Sequence, residues 1–278
     1  MLTILKAGIY TTIQDEGRFN GAHVGIPISG PMDKISADIV NLLLENDTND
    51  AVLECTYVGP TIQFHAPTLI SIGGASANVL LNDMALDKQI IQIKKNDILS
   101  IGKITSGCRA YMGIKGGIQN QTIYGSRSTC HTAGISGPLR KGDQLPFEPV
   151  IDLSILNITM NRQLGNTRLT ATAGPEYSLL SEAAKKALFD CQFTVLPSSN
   201  RMAYQVEHNL ELAHEHSMLS SGTLPGTIQW LPSGELVILM RDCQTTGGYP
   251  RIMQLTEQSI SDLSQLSPRS QFSIQLLD

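Results

Sequence analysis

Charged residues are scarce in this 278-residue chain, at 16% of the total, and the formal net charge is −5. A mildly acidic chain has no basic surface on which nucleic acid or an anionic membrane would bind. Aromatic residues make up only 5%, whereas the hydrophobic share of 41% is enough to build cores. Small molecules or proteins are therefore the expected partners, with no nucleic acid and no membrane among them.

The chain also lacks a signal segment, a membrane-length apolar run and a disulfide pattern. Residues 1–7 have no basic region before an apolar stretch, and no apolar run approaches the roughly 20 residues of a membrane span. The cysteines include no CxxC pair, and their odd number favours reduced thiols: Cys55, Cys108, Cys130, Cys191 and Cys243. A cytoplasmic location is expected.

The familiar phosphate-binding and catalytic motifs are absent as well. There is no GxxxxGK[ST] loop, no GxGxxG fingerprint and no GxSxG elbow. His214 and His216 could offer two imidazoles, but without a third ligand an exposed loop is expected there rather than a metal site. Cys130 and His131 do not form a catalytic pair through adjacency alone. No metal is predicted, and covalent catalysis has weak support.

Short apolar segments with strand character are abundant. Six of them follow one another, separated by Gly, Asn and Asp turns: 61–64, 69–72, 78–81, 90–93, 98–101 and 110–114. The second half adds further segments: 193–196, the alternation over 204–212, a hairpin of 227–231 with 235–240, and the alternation over 272–276. Close spacing without intervening helices favours a barrel or sandwich over a βαβ fold.

Two helices are predicted. Asp33 is a credible N-cap for a helix over 33–45, and apolar residues at helical spacing predict a second helix over 179–189. The chain thus reads as mainly β with a few helices. Two β units are expected, one over 1–155 with the first helix and one over 156–278 with the second.

Polar, glycine-bearing turns are the remaining place for chemistry: 14–18, 25–33, 125–129 and 242–250. Successive N–H groups around glycines can bind an anion or stabilise an oxyanion at an amide or urea carbonyl. Arg18, Arg127 or Arg251 could clamp a carboxylate, with a surface ion pair as the alternative for each. Asp33, at the start of a helix, is expected to be a cap rather than a base.

Taken in order, these turns and other short motifs resemble the family called biotin-dependent carboxyltransferase or allophanate hydrolase subunit 2. The resemblance spans nearly the whole chain and is carried by these motifs: Gln14-Asp-x-Gly-Arg18, Gly25-Ile-Pro-x-Ser-Gly-Pro-Met-Asp33, Ala51-x-Leu-Glu-x-Thr56, Gly59-Pro-x-x-x-Phe64, Ser106-Gly-x-Arg109, Gly116-Gly-Ile118, Gly125-Ser-Arg-Ser-Thr129, Arg201-Met202, Gly226-Thr-Ile-Gln229 and Thr245-Thr-Gly-Gly-Tyr-Pro250. It implies two cyclophilin-like β-barrel subdomains and an active site shared with a partner subunit.

The resemblance leaves three functions open. The first is a subunit of an ATP-dependent 5-oxoprolinase that opens 5-oxo-L-proline to L-glutamate together with the A and B subunits and is inactive alone. The second is a carboxyltransferase subunit that passes CO₂ from carboxybiotin to urea or another amide. The third is a regulatory module that antagonises a kinase inhibitor. A free-standing chain without a Met-Lys dipeptide for biotin favours the first.

The resemblance also implies site residues. Catalytic roles fall on Arg127, Tyr249 and Asp33. Substrate binding falls on residues in or beside the same turns: Gln14, Arg18, Ser29, Met32, Ser126, Gln229, Thr245, Thr246, Gly247 and Gly248. The chain departs from the family after Arg201-Met202, where the family carries Gly, Arg and Gly and this sequence carries Ala203, Gln205 and His208. A glutamine cannot replace the donor fork of an arginine.

Overall fold

The computed structural model describes residues 1–151, 154 and 158–277 and divides the chain into two compact units. The first unit comprises Met1–Asn20 and Ser29–Leu164, and the second comprises Gly21–Ile28 and Gly165–Asp278. The short segment Gly21–Ile28 thus belongs to the second unit, although the residues on both sides of it belong to the first. The predicted boundary between residues 155 and 156 lies outside the described residues.

An antiparallel, nine-stranded sheet forms the first unit. Its strands are β1 Leu2–Lys6, β2 Tyr10–Gln14, β3 Val52–Thr56, β4 Thr61–Phe64, β5 Thr68–Leu81, β6 Met84–Ala85, β7 Ile90–Ile93, β8 Ile98–Ile114 and β9 Gln144–Leu145. The order is β2-β3-β8-β4-β1-β9, and β5 pairs with β6, β7 and β8. Alternate residues of these strands fill one buried core that includes Leu2, Ile62 and Ile70.

Strands β5 and β8 are longer than the sequence predicts. Each was expected as two short strands, but β5 pairs with β8 continuously from Ile70↔Ile114 to Leu81↔Leu99. The register shifts three times between Gly74 and Val79, and Gly74 has a φ of 78°. Small and polar residues lie in mid-strand at these irregular pairs. Such residues are typical of turns, and the sequence therefore predicted a break there.

Helix α1 spans Lys34–Leu43 and covers part of this sheet. Asp33 caps it by accepting a hydrogen bond from the Ser36 amide, which confirms the predicted cap. The buried face of the helix packs Ala37 and Val40 against Tyr111. The helix ends two residues before the predicted Glu45, because Glu45 has a φ of 51° and cannot continue a right-handed helix.

In the second unit, seven strands close into a barrel in the order β10-β17-β14-β15-β12-β11-β18, and β13 and β16 form a separate ribbon. The strands are β10 Arg168–Ala173, β11 Phe193–Val195, β12 Ala203–Glu207, β13 Ser221–Gly222, β14 Thr227–Trp230, β15 Leu236–Leu239, β16 Thr246–Gly247, β17 Arg251–Leu255 and β18 Gln271–Leu276. The barrel closes through the parallel pairing of β10 with β18. The predicted hairpin is confirmed as β14 and β15.

The second unit also differs from the sequence-based expectation. Helix α2 spans Glu182–Asp190 and begins after the Ser181 cap, because the preceding Tyr177–Leu179 forms a 3₁₀ turn. Helix α3, Glu257–Ser264, was not predicted; it carries few apolar residues and many serines. The predicted strand over 204–212 ends at Glu207. The mainly β fold with few helices is nevertheless confirmed.

All five cysteines are free and buried, as their odd number predicts. Burial, reinforced by the neighbouring Glu54 carboxylate, raises the pKa of Cys55 to about 12. Burial and the adjacent Asp242 likewise raise the pKa of Cys243 to about 12. Both thiols are therefore protonated at neutral pH, which makes them poor nucleophiles. In the described part of the chain, no helix has the length and apolar character to span a membrane.

The glycines that precede prolines allow a test of the packing. A β-carbon on Gly174 would lie 2.1 Å from the Arg251 carbonyl oxygen, whereas one on Gly137 would meet nothing within 4 Å. We expect Gly174→Ala to lower the free energy of unfolding by about 1–3 kcal/mol through overpacking. Gly137→Ala is the matched control and should stay within about 0.5 kcal/mol. Denaturant unfolding measures both, and equal losses would contradict the close approach at Gly174.

Candidate functional site

The buried carboxylate of Asp15 joins two of the predicted turns. One of its oxygens accepts hydrogen bonds from Ser126 Oγ at 2.5 Å, Ser128 Oγ at 2.6 Å and Gly17 N at 3.1 Å. Its other oxygen accepts from Arg127 N at 2.5 Å. Hydrogen bonds to an ionised acceptor are about twice as strong as neutral ones. Asp15 therefore holds residues 14–18 and 125–129 together.

The positively charged side chain of Arg18 also links these parts of the chain. Its side chain is fully buried, with Nε donating to Ile123 O at 2.9 Å and Nη2 donating to Ser128 O at 2.8 Å. The surface ion pair that was the alternative for this arginine is therefore wrong. Within the described residues, Arg18 Nη1 has no hydrogen-bond partner.

The loop 29–33 meets the first turn. A β-carbon on Gly30 would lie 3.0 Å from the Glu16 carbonyl oxygen, so the two backbones are in close contact. Ser29 is buried and has a φ of 61°, which is uncommon for a residue with a side chain. Met32 is also fully buried, and its amide donates to Glu54 Oε2 at 2.7 Å. The first unit thus brings together the predicted turns 14–18 and 125–129 and residues 29–33 of the predicted turn 25–33, whose residues 25–28 belong to the second unit.

Asp33 uses its carboxylate as a helix cap, as predicted. It accepts from Ser36 N at 3.0 Å and from Ser36 Oγ at 2.7 Å, and it forms a salt bridge with Arg162 Nη1. Its side chain is fully buried. These contacts engage both carboxylate oxygens with protein donors. The catalytic role that the resemblance implies for Asp33 stays a prediction.

Several buried polar atoms at these turns lack a hydrogen-bond partner within the described residues. They comprise acceptors and donors: Gln14 Oε1, Arg18 Nη1, Ser29 Oγ, Asn120 Oδ1 and Arg127 Nε. A buried polar atom without a partner costs about 1–3 kcal/mol, so water or a ligand is expected to satisfy it. The cluster therefore offers both donors and acceptors to a small polar molecule.

Arg127 and Ser126 occupy different positions in this cluster. Ser126 is buried and committed to Asp15, whereas Arg127 is half-buried and donates from Nη2 to Gln119 Oε1 at 3.0 Å. Burial raises the pKa of nearby Asp50, and the charges of Arg127 and Lys115 oppose that rise. Arg127 is thus a cationic side chain beside the cluster with one side-chain donor already engaged.

In the second unit, the stretch 242–250 contains a strand as well as a turn. Thr246–Gly247 forms β16 and pairs with Ser221–Gly222, which is β13. A β-carbon on Gly247 would lie 2.5 Å from Gln229 Nε2, so the glycine allows the close approach that its sequence predicts. Gln229 is buried, and its Nε2 has no hydrogen-bond partner in the described part of the chain. A β-carbon on Gly248 would make ordinary van der Waals contact, with its nearest neighbours at 3.7 Å.

The other predicted residues of this stretch differ in exposure. Thr245 is half-buried and accepts from Thr223 N through its carbonyl at 3.0 Å, whereas Thr246 is exposed. Tyr249 is 45% exposed. These residues and Gln229 form a second cluster within the second unit. That the two clusters line one cleft stays a prediction.

Arg251 does not have the free guanidinium that a ligand clamp needs. It donates from Nε and Nη2 to the two carboxylate oxygens of Glu176, both at 2.9 Å, and from Nη1 to Gly222 O at 2.8 Å. These bonds hold the pKa of Glu176 below its ordinary value. Arg251 is thus a structural tie for the β13–β16 ribbon, and its predicted alternative as an ion pair is confirmed.

The three residues that depart from the family pattern have local structural roles. Ala203 and Gln205 lie in β12, and Gln205 Oε1 accepts from Ser198 Oγ at 2.5 Å. The His208 ring packs edge-on against Phe193 with centroids 6.0 Å apart, and burial lowers its pKa. No contact of these residues points to a ligand.

The paired histidines pack rather than coordinate. The rings of His214 and Trp230 have centroids 3.9 Å apart, and His216 lies 5.5 Å from the same indole. Among the described residues, no group of three or more His, Cys, Asp or Glu side chains could hold a metal ion.

The sequence reasoning missed several residues that shape the site: Asp15, Glu54, Tyr111, Ser128, Arg162 and Glu176. Asp15 had a usable signal, because the side chain of an aspartate often accepts a hydrogen bond from the backbone amide two residues later and so forms a turn. Glu54 had another, since a carboxylate inside the apolar strand β3 needs buried donors. Arg162 and Glu176 carried no local signal, because their partners are distant in sequence.

Comparison with known proteins identifies the family. The model of the carboxyltransferase domain, subdomain A and B, matches residues 24–276. The chain belongs to this carboxyltransferase family. The C subunit of 5-oxoprolinase from Escherichia coli is 34% identical over 272 residues, covering 96% of this chain and 88% of that relative. The corresponding 5-oxoprolinase subunit from Haemophilus influenzae is 30% identical over 276 residues, with the same coverage of 96% and 88%.

Solved structures have the same fold. The crystal structure of TTHA0988 superposes with a TM-score of 0.88 at 26% identity, covering 99% of this chain and 55% of that one. The Kluyveromyces lactis urea amidolyase gives a TM-score of 0.89 at 28% identity, covering 100% of this chain and 19% of that one. This chain therefore corresponds to part of a longer polypeptide in each solved relative.

The Asp15 contacts predict a large stability effect. Asp15→Asn keeps the shape of the side chain but removes its charge and turns an NH₂ group toward surrounding donors. We expect the free energy of unfolding to fall by about 1.5–3 kcal/mol, measured by denaturant unfolding. Asp190→Asn, at an exposed aspartate of α2, is the control and should change it by less than about 0.5 kcal/mol. A neutral Asp15→Asn would show that the carboxylate does not hold the turns.

The Glu176–Arg251 pair predicts a pH dependence. Because the folded pKa of Glu176 is lowered, its stabilisation is full above the ordinary value of about 4.3 and is lost as the pH falls through the folded pKa. Glu176→Gln should therefore cost about 1–2 kcal/mol at pH 7 and less at pH 3. Unfolding at both pH values measures the difference, with exposed Glu215→Gln as the control. A cost that is equal at both pH values would contradict the ion pair.

Proposed function

We propose that this chain is a subunit of an ATP-dependent 5-oxoprolinase that opens 5-oxo-L-proline to L-glutamate. The supporting observation is the full-length similarity to the C subunit of 5-oxoprolinase, at 34% identity over 96% of this chain and 88% of the relative. Its partners would be the A and B subunits of the same enzyme, in the cytoplasm. The free, buried cysteines suit that reducing compartment.

The second candidate is a carboxyltransferase that acts on urea or another amide. The urea amidolyase of Saccharomyces cerevisiae is 39% identical over 150 residues, which favours it, but the match covers 52% of this chain and 8% of that relative. The putative urea carboxylase of Emericella nidulans matches 95% of this chain, but at 25% identity. The higher identity of 34% over 96% of the chain therefore ranks 5-oxoproline above urea. Biotin would enter only in this reading, carried outside these 278 residues, because they contain no Met-Lys dipeptide.

The chemistry that we propose begins at the lactam carbonyl. Its oxygen attacks the γ-phosphoryl group of ATP and ADP leaves, so the carbon that bears the phosphorylated oxygen becomes open to water. Attack of one water and cleavage of the C–N bond, with proton transfer to the nitrogen, give an acyl phosphate. A second water hydrolyses the acyl phosphate to glutamate and phosphate. Donors near the lactam oxygen would stabilise the negative charge of the phosphoryl group that it receives.

The unpartnered atoms of the first cluster fit such a substrate. Ser29 Oγ and Arg18 Nη1 would donate to the lactam oxygen, and Gln14 Oε1 would accept from the lactam N–H. The half-buried Arg127 would contact the substrate carboxylate. Met32 and Ser126 would shape the wall, since both are buried and Ser126 is bonded to Asp15.

The cluster of the second unit would supply further contacts. Gln229 Nε2 is an unpartnered buried donor beside Gly247, and the exposed Tyr249 presents a ring and a hydroxyl. The sequence carries no phosphate loop, so we assign ATP binding to the assembled complex. The chain alone should therefore neither hydrolyse ATP nor open 5-oxoproline.

A reconstitution assay tests this function. The purified chain with the A and B subunits, ATP and 5-oxoproline should release glutamate and ADP, whereas the chain alone should not. Arg127→Ala should lower kcat/KM by about 10- to 100-fold, because one charge-assisted contact is worth about 1.5–3 kcal/mol. Tyr249→Phe should lower it less, since it loses one neutral hydrogen bond.

Matched controls separate site effects from folding effects. Arg140→Ala and Tyr57→Phe change exposed residues outside both clusters and should keep wild-type turnover. Retention of full activity by Arg127→Ala and Tyr249→Phe would refute the site assignment. Complex formation without turnover on 5-oxoproline would refute the function and favour the regulatory alternative, while turnover that requires a biotin carrier and urea would favour the carboxyltransferase.

A further inference from the structure

Two consecutive backbone amides after Ser29 are held by a buried pair of side chains from the sheet. Met32 N donates to Glu54 Oε2 at 2.7 Å, and Asp33 N donates to the Tyr111 hydroxyl at 2.8 Å. The Tyr111 hydroxyl donates in turn to the same Glu54 oxygen at 2.8 Å. One carboxylate oxygen therefore fixes the end of the loop, directly and through the phenol.

The pair itself is rigidly placed. Glu54 in β3 and Tyr111 in β8 are direct partners across the antiparallel register, and both are fully buried. The second Glu54 oxygen lies 3.8 Å from Arg109 Nε. Placing a carboxylate inside a sheet is costly, and apolar residues there would often be equally or more stable. Its presence therefore points to a role beyond holding β3 and β8 together.

The loop that the pair anchors is strained. Ser29 has a φ of 61° and Gly30 has a φ of 88°. A residue with a side chain in this region costs free energy and stays there only when its surroundings hold it. Ser29 is 1% exposed, and its Oγ has no hydrogen-bond partner in the described ranges. A hydroxyl held in this position can donate a hydrogen bond to a bound ligand.

We propose that Glu54 and Tyr111 are positioning residues that hold the strained loop so that Ser29 Oγ donates to the amide carbonyl of the substrate. The identity of the substrate rests on the function proposed above, whereas the positioning of the loop does not. Neither side chain touches the substrate in this proposal. Both act through the amides of Met32 and Asp33.

Hydrogen exchange tests the positioning without any substrate. In the ¹⁵N-labelled full chain, Tyr111→Phe should speed exchange of the Asp33 amide at least tenfold, while the Leu53 amide of β3 keeps its rate. Glu54→Gln should speed the Met32 amide in the same way and serves if Tyr111→Phe does not fold. Tyr204→Phe, at a buried tyrosine of the second unit, is the control and should leave both amides unchanged. Unchanged exchange at residues 32 and 33 in the variants would overturn the proposal.

A double-mutant cycle on the reconstituted complex tests the link to Ser29. Ser29→Ala should lower kcat about 100-fold as the loss of one oxyanion donor, and Tyr111→Phe alone should lower it at least tenfold. In the Ser29→Ala background, Tyr111→Phe should cost no more than twofold, because the group that it positions is gone. Independent, multiplying losses would overturn the proposal. If the wild-type complex does not turn over 5-oxoproline, the proposed function fails, and the exchange experiment alone decides the positioning.

Discussion

The site in the first unit depends on one buried negative charge, that of Asp15. A carboxylate removed from water is stable only when donors surround it, and four donors from two turns converge on this one. Arg18, in the turn 14–18, adds hydrogen bonds to the carbonyl oxygens of Ile123 and Ser128. Several buried polar atoms at these turns have no hydrogen-bond partner within the described residues. The requirement to bury Asp15 therefore holds the two turns together.

That several of the polar turns meet was predictable from sequence, but the partners of their side chains were not. Glycine and proline mark turns at fixed positions, and residues 14–18, residues 125–129 and the part 29–33 of the predicted turn 25–33 do meet. Asp33 was assigned a catalytic role by resemblance, yet its carboxylate caps α1 and pairs with Arg162. Such a partner lies more than a hundred residues away in sequence, and no local pattern indicates it. For the same reason, the sequence left two alternatives for Arg251, a ligand clamp or an ion pair, and did not indicate Glu176 as its partner.

The limits of the fold prediction have similar physical causes. Regular alternation identified β4, β7 and the hairpin of β14 with β15, because those segments place apolar residues on one face. Strands β5 and β8 were divided in the prediction, because their shifted register places glycine and polar residues in mid-strand. Helix α3 was missed, because serine side chains cover much of its buried surface. Periodicity thus works where burial is apolar and fails where polar groups are buried.

The chain passes from one compact unit to the other three times, because Gly21–Ile28 belongs with the residues after Gly165. Neither unit is therefore a continuous piece of polypeptide. A fragment that starts at Gly165 omits eight residues of its own unit, and the complementary fragment carries them without the unit to which they belong. A break at this junction would therefore leave the first unit whole and the second without Gly21–Ile28, so the second unit depends on residues from the first part of the chain.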